Sequence, residues 1–150
     1  MRAEFVELTN MCMVRSRDGK YLVIDRRDSS WPGLVFPGGH VEAREAVGDS
    51  VVREVYEETG IRIRSPRLCG LKQFTNHEGK RYLVFFYTAC TYTGELRSSP
   101  EGEALWLTMD EIRDRRPVDG FFEMLKVFEN DGISELYYIP QPSEKRLRYL

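Results

Sequence analysis

Cysteine is scarce: Cys12, Cys69 and Cys90 are the only three in 150 residues. They are odd in number, far apart and form no C-x-x-C, which argues against a disulfide scaffold and against a zinc site. They read as small buried hydrophobes in a reducing compartment. Long hydrophobic runs are missing as well. The longest, Leu83-Val84-Phe85-Phe86-Tyr87, is far short of the ~20 apolar residues that span a bilayer. Arg2, Glu4 and Glu7 fall where a signal peptide needs an apolar stretch, so a cytoplasmic protein with no membrane contact is expected. No charge of one sign dominates: 22 Lys+Arg against 24 Asp+Glu leave a net charge of −2. A protein that coats nucleic-acid phosphates is usually strongly basic, so no large nucleic acid is expected as a partner. A small anionic ligand held through a metal remains allowed. No repeat, no linker and no Ser/His/Asp or Cys/His nucleophile arrangement is visible.

What is present suits one domain over residues 1–150 that buries its own core, with 41% hydrophobic and 12% aromatic residues and a polar tail from about residue 142. Asp18-Gly19 between two apolar runs signals a hairpin. Leu34-Val35-Phe36 is a short strand ended by Pro37-Gly38-Gly39. Ala46 to Thr59 is a helix, with Val47, Val51 and Val55 as its apolar stripe and Gly60 as its stop. Leu68–Phe74 and Arg81–Tyr92 are strands joined by Asn76–Lys80, and Tyr92–Glu95 is a turn. Ala104–Leu107 is another strand. Asp110 opens a short helical turn. Asp119 caps a helix that turns Phe121, Phe122, Leu125 and Phe128 inward. Leu136–Ile139 adds an edge strand. Strands mixed with two main helices point to an α/β or α+β sandwich. The state is a monomer or a homodimer, the aromatic strand Tyr82–Tyr92 serving either core or interface.

The chemistry concentrates between Gly39 and Ile61. At 100° per residue, Glu54, Glu57 and Glu58 span roughly 100° of one helix and share a face. Three carboxylates so close repel one another, and a divalent cation relieves the repulsion; oxygen donors suit Mg²⁺ or Mn²⁺. An ordinary solvated acidic helix is the plainer alternative. The glycines just before the helix let backbone approach phosphate, and a carbonyl there can join a metal shell. Glu45 and Arg53 stand where a pair can brace loop to helix.

Gly39, Glu45, Arg53, Glu54, Val55, Glu57, Glu58, Gly60 and Ile61 fill every defined position of the pattern G-x5-E-x7-R-E-U-x-E-E-x-G-U, U being aliphatic. A chance match per window is roughly 10⁻⁹. The segment resembles the Nudix box, and the order of elements elsewhere resembles a Nudix domain. The resemblance implies an α/β/α sandwich around a mixed β-sheet and hydrolysis of a nucleoside diphosphate linked to another group. It implies metal ligation by Glu54, Glu57, Glu58 and the Gly38 carbonyl, with Glu54 or Glu58 as base. Glu45 and Arg53 become the loop-to-helix brace, and Glu101 or Glu103 an additional ligand from a later loop. The chain looks closest to the MutT-like branch, which implies nucleoside triphosphates such as 8-oxo-dGTP as substrates, cleaved to monophosphate and pyrophosphate. Arg27, at the end of the second strand, then contacts base or phosphate, Gly39 lines the phosphate loop and Asp119 reads a purine edge. ADP-ribose, dinucleoside polyphosphates and RNA 5′ ends remain alternatives, as does a non-catalytic nucleotide sensor. Pro66 lies too close to the box and Tyr82 too far from it for the patterns of the first two.

Overall fold

A computed structural model of the chain describes residues 2–140 and 146–150. Its elements run β1 (Val6–Val14), β2 (Tyr21–Arg26), β3 (Gly33–Val35), α1 (Val47–Thr59), β4 (Ile61–Arg64), β5 (Arg67–Thr75) and β6 (Arg81–Ala89). There follow β7 (Thr91–Gly94), β8 (Gly102–Leu107), α2 (Met109–Asp114), α3 (Phe121–Glu129), β9 (Glu135–Ile139) and β10 (Arg146–Tyr149). A mixed five-stranded sheet has the order β1-β6-β5-β9-β10, and two smaller antiparallel sheets, β3-β2-β8 and β4-β7, lie beside it. In the large sheet β1 is parallel to β6 and β5 to β9, while β5–β6 and β9–β10 run antiparallel.

Strand alternation explains the layering, because successive side chains point to opposite faces. On β1, Met11 and Met13 join a core with Phe121, Met124, Leu125 and Phe128 of α3. Cys12 and Val14 join a second core with Val51 and Val55 of α1. The two helices therefore cover opposite faces, and the α/β/α expectation holds.

Helix α1 starts and stops where the sequence indicates. Ala46 is its N-cap and Gly60 its left-handed C-cap at φ 75°. Asn76–Lys80 does join an antiparallel β5–β6 pair. Several expectations need correction. The Asp18-Gly19 turn is closed by an Arg15–Tyr21 bridge, yet β1 and β2 then diverge into different sheets. The expected turn at Tyr92–Glu95 largely belongs to β7, which pairs with β4. Thr108, not Asp110, caps α2, in a capping box with Glu111. The N-cap of α3 is Gly120 at φ 83°, not Asp119. Strand β9 is no edge, because β10, built from the supposed polar tail, pairs outside it. Residues 141–145 of that tail lie outside the described residues. Of the thiols, Cys12 is buried as expected, Cys69 is half-buried and Cys90 is exposed.

Candidate active site

The site begins where the strand β3 hands over to a glycine loop. Gly39 accepts the Asn10 N–H at 2.8 Å and Pro37 the Cys12 N–H at 2.9 Å, which pins the loop to β1. A side chain is excluded by backbone at Gly38 and meets the Glu54 carboxylate at Gly39. A Cβ at Gly38 would lie 2.1 Å from the Asn10 carbonyl oxygen, and one at Gly39 would lie 2.5 Å from the carboxyl carbon of Glu54. Gly38→Ala is therefore expected to cost about 1–3 kcal/mol through overpacking. A thermal melt should show it as a fall of about 2–4 °C per kcal/mol.

Arg53 ties the next stretch of loop to α1. Its Nε donates to Glu45 Oε1 at 2.7 Å and its Nη2 to Oε2 at 2.9 Å, a bidentate pair. Nη2 also donates to the His40 carbonyl at 3.0 Å, and Nη1 to Glu54 at 2.9 Å and Glu57 at 3.3 Å. The guanidinium holds the Glu45 carboxyl down at about 2, and the Glu42 N–H adds to this. The brace expected between Glu45 and Arg53 is thus present as geometry.

The three box glutamates meet different fates. Glu54 and Glu58 line an open cleft of about 790 Å³ together with Gly38, Gly39 and Glu101. Glu57 points to Arg53, is mostly exposed and does not line the cleft. Burial raises the Glu54 carboxyl against the opposing pull of Arg53. Glu58 is 9% exposed and its carboxyl is pushed up to about 8, first by burial and then by the charge of Glu54, with Glu101 adding to it. The Gly38 N–H, 3.3 Å from Glu58 Oε1, offsets only part of that. Of the two later candidates, Glu101 lines the cleft, whereas Glu103 stands exposed on β8 opposite Asp25.

These donors are all hard oxygens, and the charges of Glu54 and Glu101 both raise the proton affinity of Glu58. A cluster of carboxylate oxygens of this kind fits a divalent cation. Among the described residues no three Asp, Glu, His or Cys side chains already enclose an ion position, so ligation requires Glu54, Glu58 and Glu101 to draw together.

The rest of the cleft differs from expectation at its arginine. Arg27 is exposed and does not line it. Arg26 does, held by an Nε–H donated to the Trp31 carbonyl at 3.0 Å and lying 5.3 Å from the Trp31 ring centroid. Trp31, Phe74, Tyr82 and Lys72 line the cleft as well. Asp119 stands beside this aromatic end. Its carbonyl accepts the Trp31 Nε1–H at 3.0 Å, and its charge helps to push the Tyr138 phenol up to about 12, behind burial, Glu123 and Tyr149. Lys72 and Phe74 were not singled out from the sequence. Their signal was a cation two residues from an aromatic on one strand, a spacing that places both on one face.

The NUDIX domain pattern matches residues 8–128. An uncharacterised Nudix hydrolase of Bacillus subtilis, YvcI, is 33% identical over 123 residues, which cover 77% of this chain and 76% of that one. A MutT-like protein of Streptomyces ambofaciens is 38% identical over 106 residues, 69% of this chain and 64% of its own length. A mutator MutT protein from Bacillus halodurans superposes with a TM-score of 0.73 at 29% identity, covering 94% of this chain and 97% of that one. The chain belongs to the Nudix family. It is a Nudix hydrolase of the MutT-like kind, in a family whose members depend on divalent metal. Among the described residues no helix is long and apolar enough to cross a membrane.

Proposed function

We propose that the chain is a cytoplasmic, Mg²⁺-dependent pyrophosphohydrolase of nucleoside triphosphates, 8-oxo-dGTP among them, releasing the monophosphate and pyrophosphate. One observation carries this: a single cleft joins a carboxylate cluster, buried Glu58 with half-buried Glu54 and exposed Glu101, to an aromatic end with Trp31 and Phe74. A nucleotide has the same two halves, a polyanion that needs cations and a flat base that needs rings.

Glu54, Glu58, Glu101 and the Gly38 carbonyl would hold Mg²⁺ or Mn²⁺, joined by Glu57 once it leaves Arg53. When bound, such an ion neutralises phosphate charge and acidifies water. The protein's own groups do the rest. A carboxylate of the Glu54/Glu58 pair takes the proton of the attacking water. The water oxygen forms the new P–O bond, the anhydride P–O bond breaks, and its electron pair departs with pyrophosphate. Arg53 and Glu45 are positioning residues that fix the loop over the helix. Gly39 leaves room for the triphosphate to approach backbone. Arg26, in place of Arg27, meets the polyanion between the two ends, and Asp119 borders the base.

The test is product analysis after incubation with Mg²⁺ and 8-oxo-dGTP, the eight common nucleoside triphosphates, ADP-ribose and a dinucleoside polyphosphate. Monophosphate released from one triphosphate supports the proposal and names the base. Turnover of ADP-ribose or the dinucleotide alone keeps the carboxylate chemistry and discards the substrate. No turnover with either Mg²⁺ or Mn²⁺ favours a sensor.

A further inference from the structure

Asn10 puts a polar side chain where the core expects an apolar one. On β1 it shares a face with Cys12 and Val14, which pack in the core beneath α1. It is 3% exposed. Its Nδ2–H donates to Ser50 Oγ at 2.8 Å. The single hydroxyl proton of Ser50 goes to the Val47 carbonyl at 2.6 Å. Ser50 can therefore only accept from Asn10, which fixes the amide nitrogen on that side. Asn10 Oδ1 is left as a buried acceptor with no hydrogen-bond partner among the described residues. Such an atom destabilises the fold, and an apolar side chain of the same shape would avoid the loss. It needs a reason.

The place of the amide in the fold supplies one. The Asn10 N–H holds the Gly39 carbonyl at 2.8 Å. Ser50 precedes Glu54 by one helical turn, the spacing at which side chains on a helix are neighbours. The Glu54 carboxylate in turn lies against Gly39. The amide is thus set between the glycine loop and α1, one turn from a carboxylate of the cluster. Asn10 lines the same cleft as Gly38, Gly39, Glu54 and Glu58. A carboxylate that ligates a cation has no proton to offer Oδ1. The waters of a hydrated cation do. Mg²⁺ keeps several of them when few protein oxygens bind it, and its charge makes them acidic, hence strong donors. A neutral amide oxygen receives such a donor without adding to the repulsion among the carboxylates. We infer that Asn10 is a positioning residue of the cation site, its Oδ1 accepting a hydrogen bond from a water of the hydrated Mg²⁺. The inference rests on the cation site proposed above and adds to it a group that lies outside the Nudix motif.

Two readouts separate this role from that of a tether between β1 and α1. They are the Mg²⁺ dissociation constant of the nucleotide-free protein, by calorimetry at pH 7, and the melting temperature in chelator. Asn10→Leu should raise the dissociation constant roughly ten- to a hundredfold, the range for a partner just outside a metal's ligands. Ser50→Ala removes the tether and leaves Oδ1 in place. It should lower the melting temperature and leave the dissociation constant nearly unchanged. Asn10→Leu with Ser50→Ala should bind Mg²⁺ as weakly as Asn10→Leu alone. In chelator it should melt no lower than Ser50→Ala, because no buried acceptor is left without a donor. That double variant carries the comparison if Asn10→Leu alone does not fold. Unchanged Mg²⁺ binding in the variants that lack the amide overturns the inference and leaves the cation site standing. An equal loss of binding in Ser50→Ala overturns it too, because it assigns Asn10 to holding the helix. An unaltered protein that binds no Mg²⁺ removes the cation site, and this inference with it.

Discussion

Glu58→Gln is expected to stabilise the metal-free protein at alkaline pH while lowering kcat by about 10²–10³-fold, the scale on which one preorganised electrostatic group acts. Both effects come from one carboxyl. It is pushed up to about 8 in the folded chain, above its ordinary 4.5, by burial and by Glu54. Below pH 4.5 the group is protonated folded and unfolded, and nothing is lost. Between 4.5 and 8 the unfolded chain releases the proton and the folded chain keeps it, so stability falls as pH rises. Each pH unit costs at most about 1.4 kcal/mol, and the loss levels off above pH 8. A glutamine has no proton to release. In chelator, the melting difference between variant and parent should be small at pH 4.5, grow up to pH 8 and favour the variant. A variant that melts below its parent at pH 8 would contradict the origin assigned to the shift.

Arg53→Ala is expected to lower kcat by a comparable factor through a different route. The side chain does not itself line the cleft. It holds Glu45, Glu54 and the His40 carbonyl at 2.7–3.0 Å and so fixes the glycine loop relative to the carboxylates. Its removal also leaves Glu45 without the partner that holds it at about 2. The pair should therefore behave as a unit. Glu45→Gln together with Arg53→Ala should cost much less than the sum of the single losses in kcat and in melting temperature. Arg53→Lys should rescue stability better than kcat, because an ammonium replaces the charge but not the fork. Additive losses would assign the two residues separate roles.

The sequence made the box legible because helical spacing puts Glu54 and Glu58 on one face and because the motif pairs Glu45 with Arg53. It did not show that Glu57 turns to Arg53 rather than into the cleft, since angular position says nothing about a competing arginine one turn earlier. That Arg26 and not Arg27 lines the cleft was hidden for a related reason. Tyr21–Ile24 is buried throughout, so β2 carries no alternation from which to read which of the two arginines faces the cleft. Glu101 and Glu103 were inseparable until the register placed Glu103 on the β2–β8 ladder, opposite Asp25. Asp119 carries the residue type of a cap, but Gly120 accepts the left-handed conformation that starts α3. The aromatic end stayed hidden because Trp31, Lys72 and Tyr138 come from three separate segments that only the tertiary fold joins. Strand β10 stayed hidden in a tail whose charge suggested solvent. It gains its place by pairing with β9 and by Tyr149 donating to the Glu123 carbonyl at 3.1 Å.

The most direct test of the acidic cleft as a cation site is calorimetric titration of Mg²⁺ into the nucleotide-free protein at pH 7, in buffers of different ionisation enthalpy. Burial and Glu54 favour the protonated form of Glu58 in the free protein, and a ligating carboxylate must be deprotonated. Binding with release of close to one proton, fading as pH passes 8 and abolished by Glu54→Gln with Glu58→Gln, is the expected result. Equal Mg²⁺ binding by that double variant, or nucleotide turnover undiminished in chelator, would contradict it.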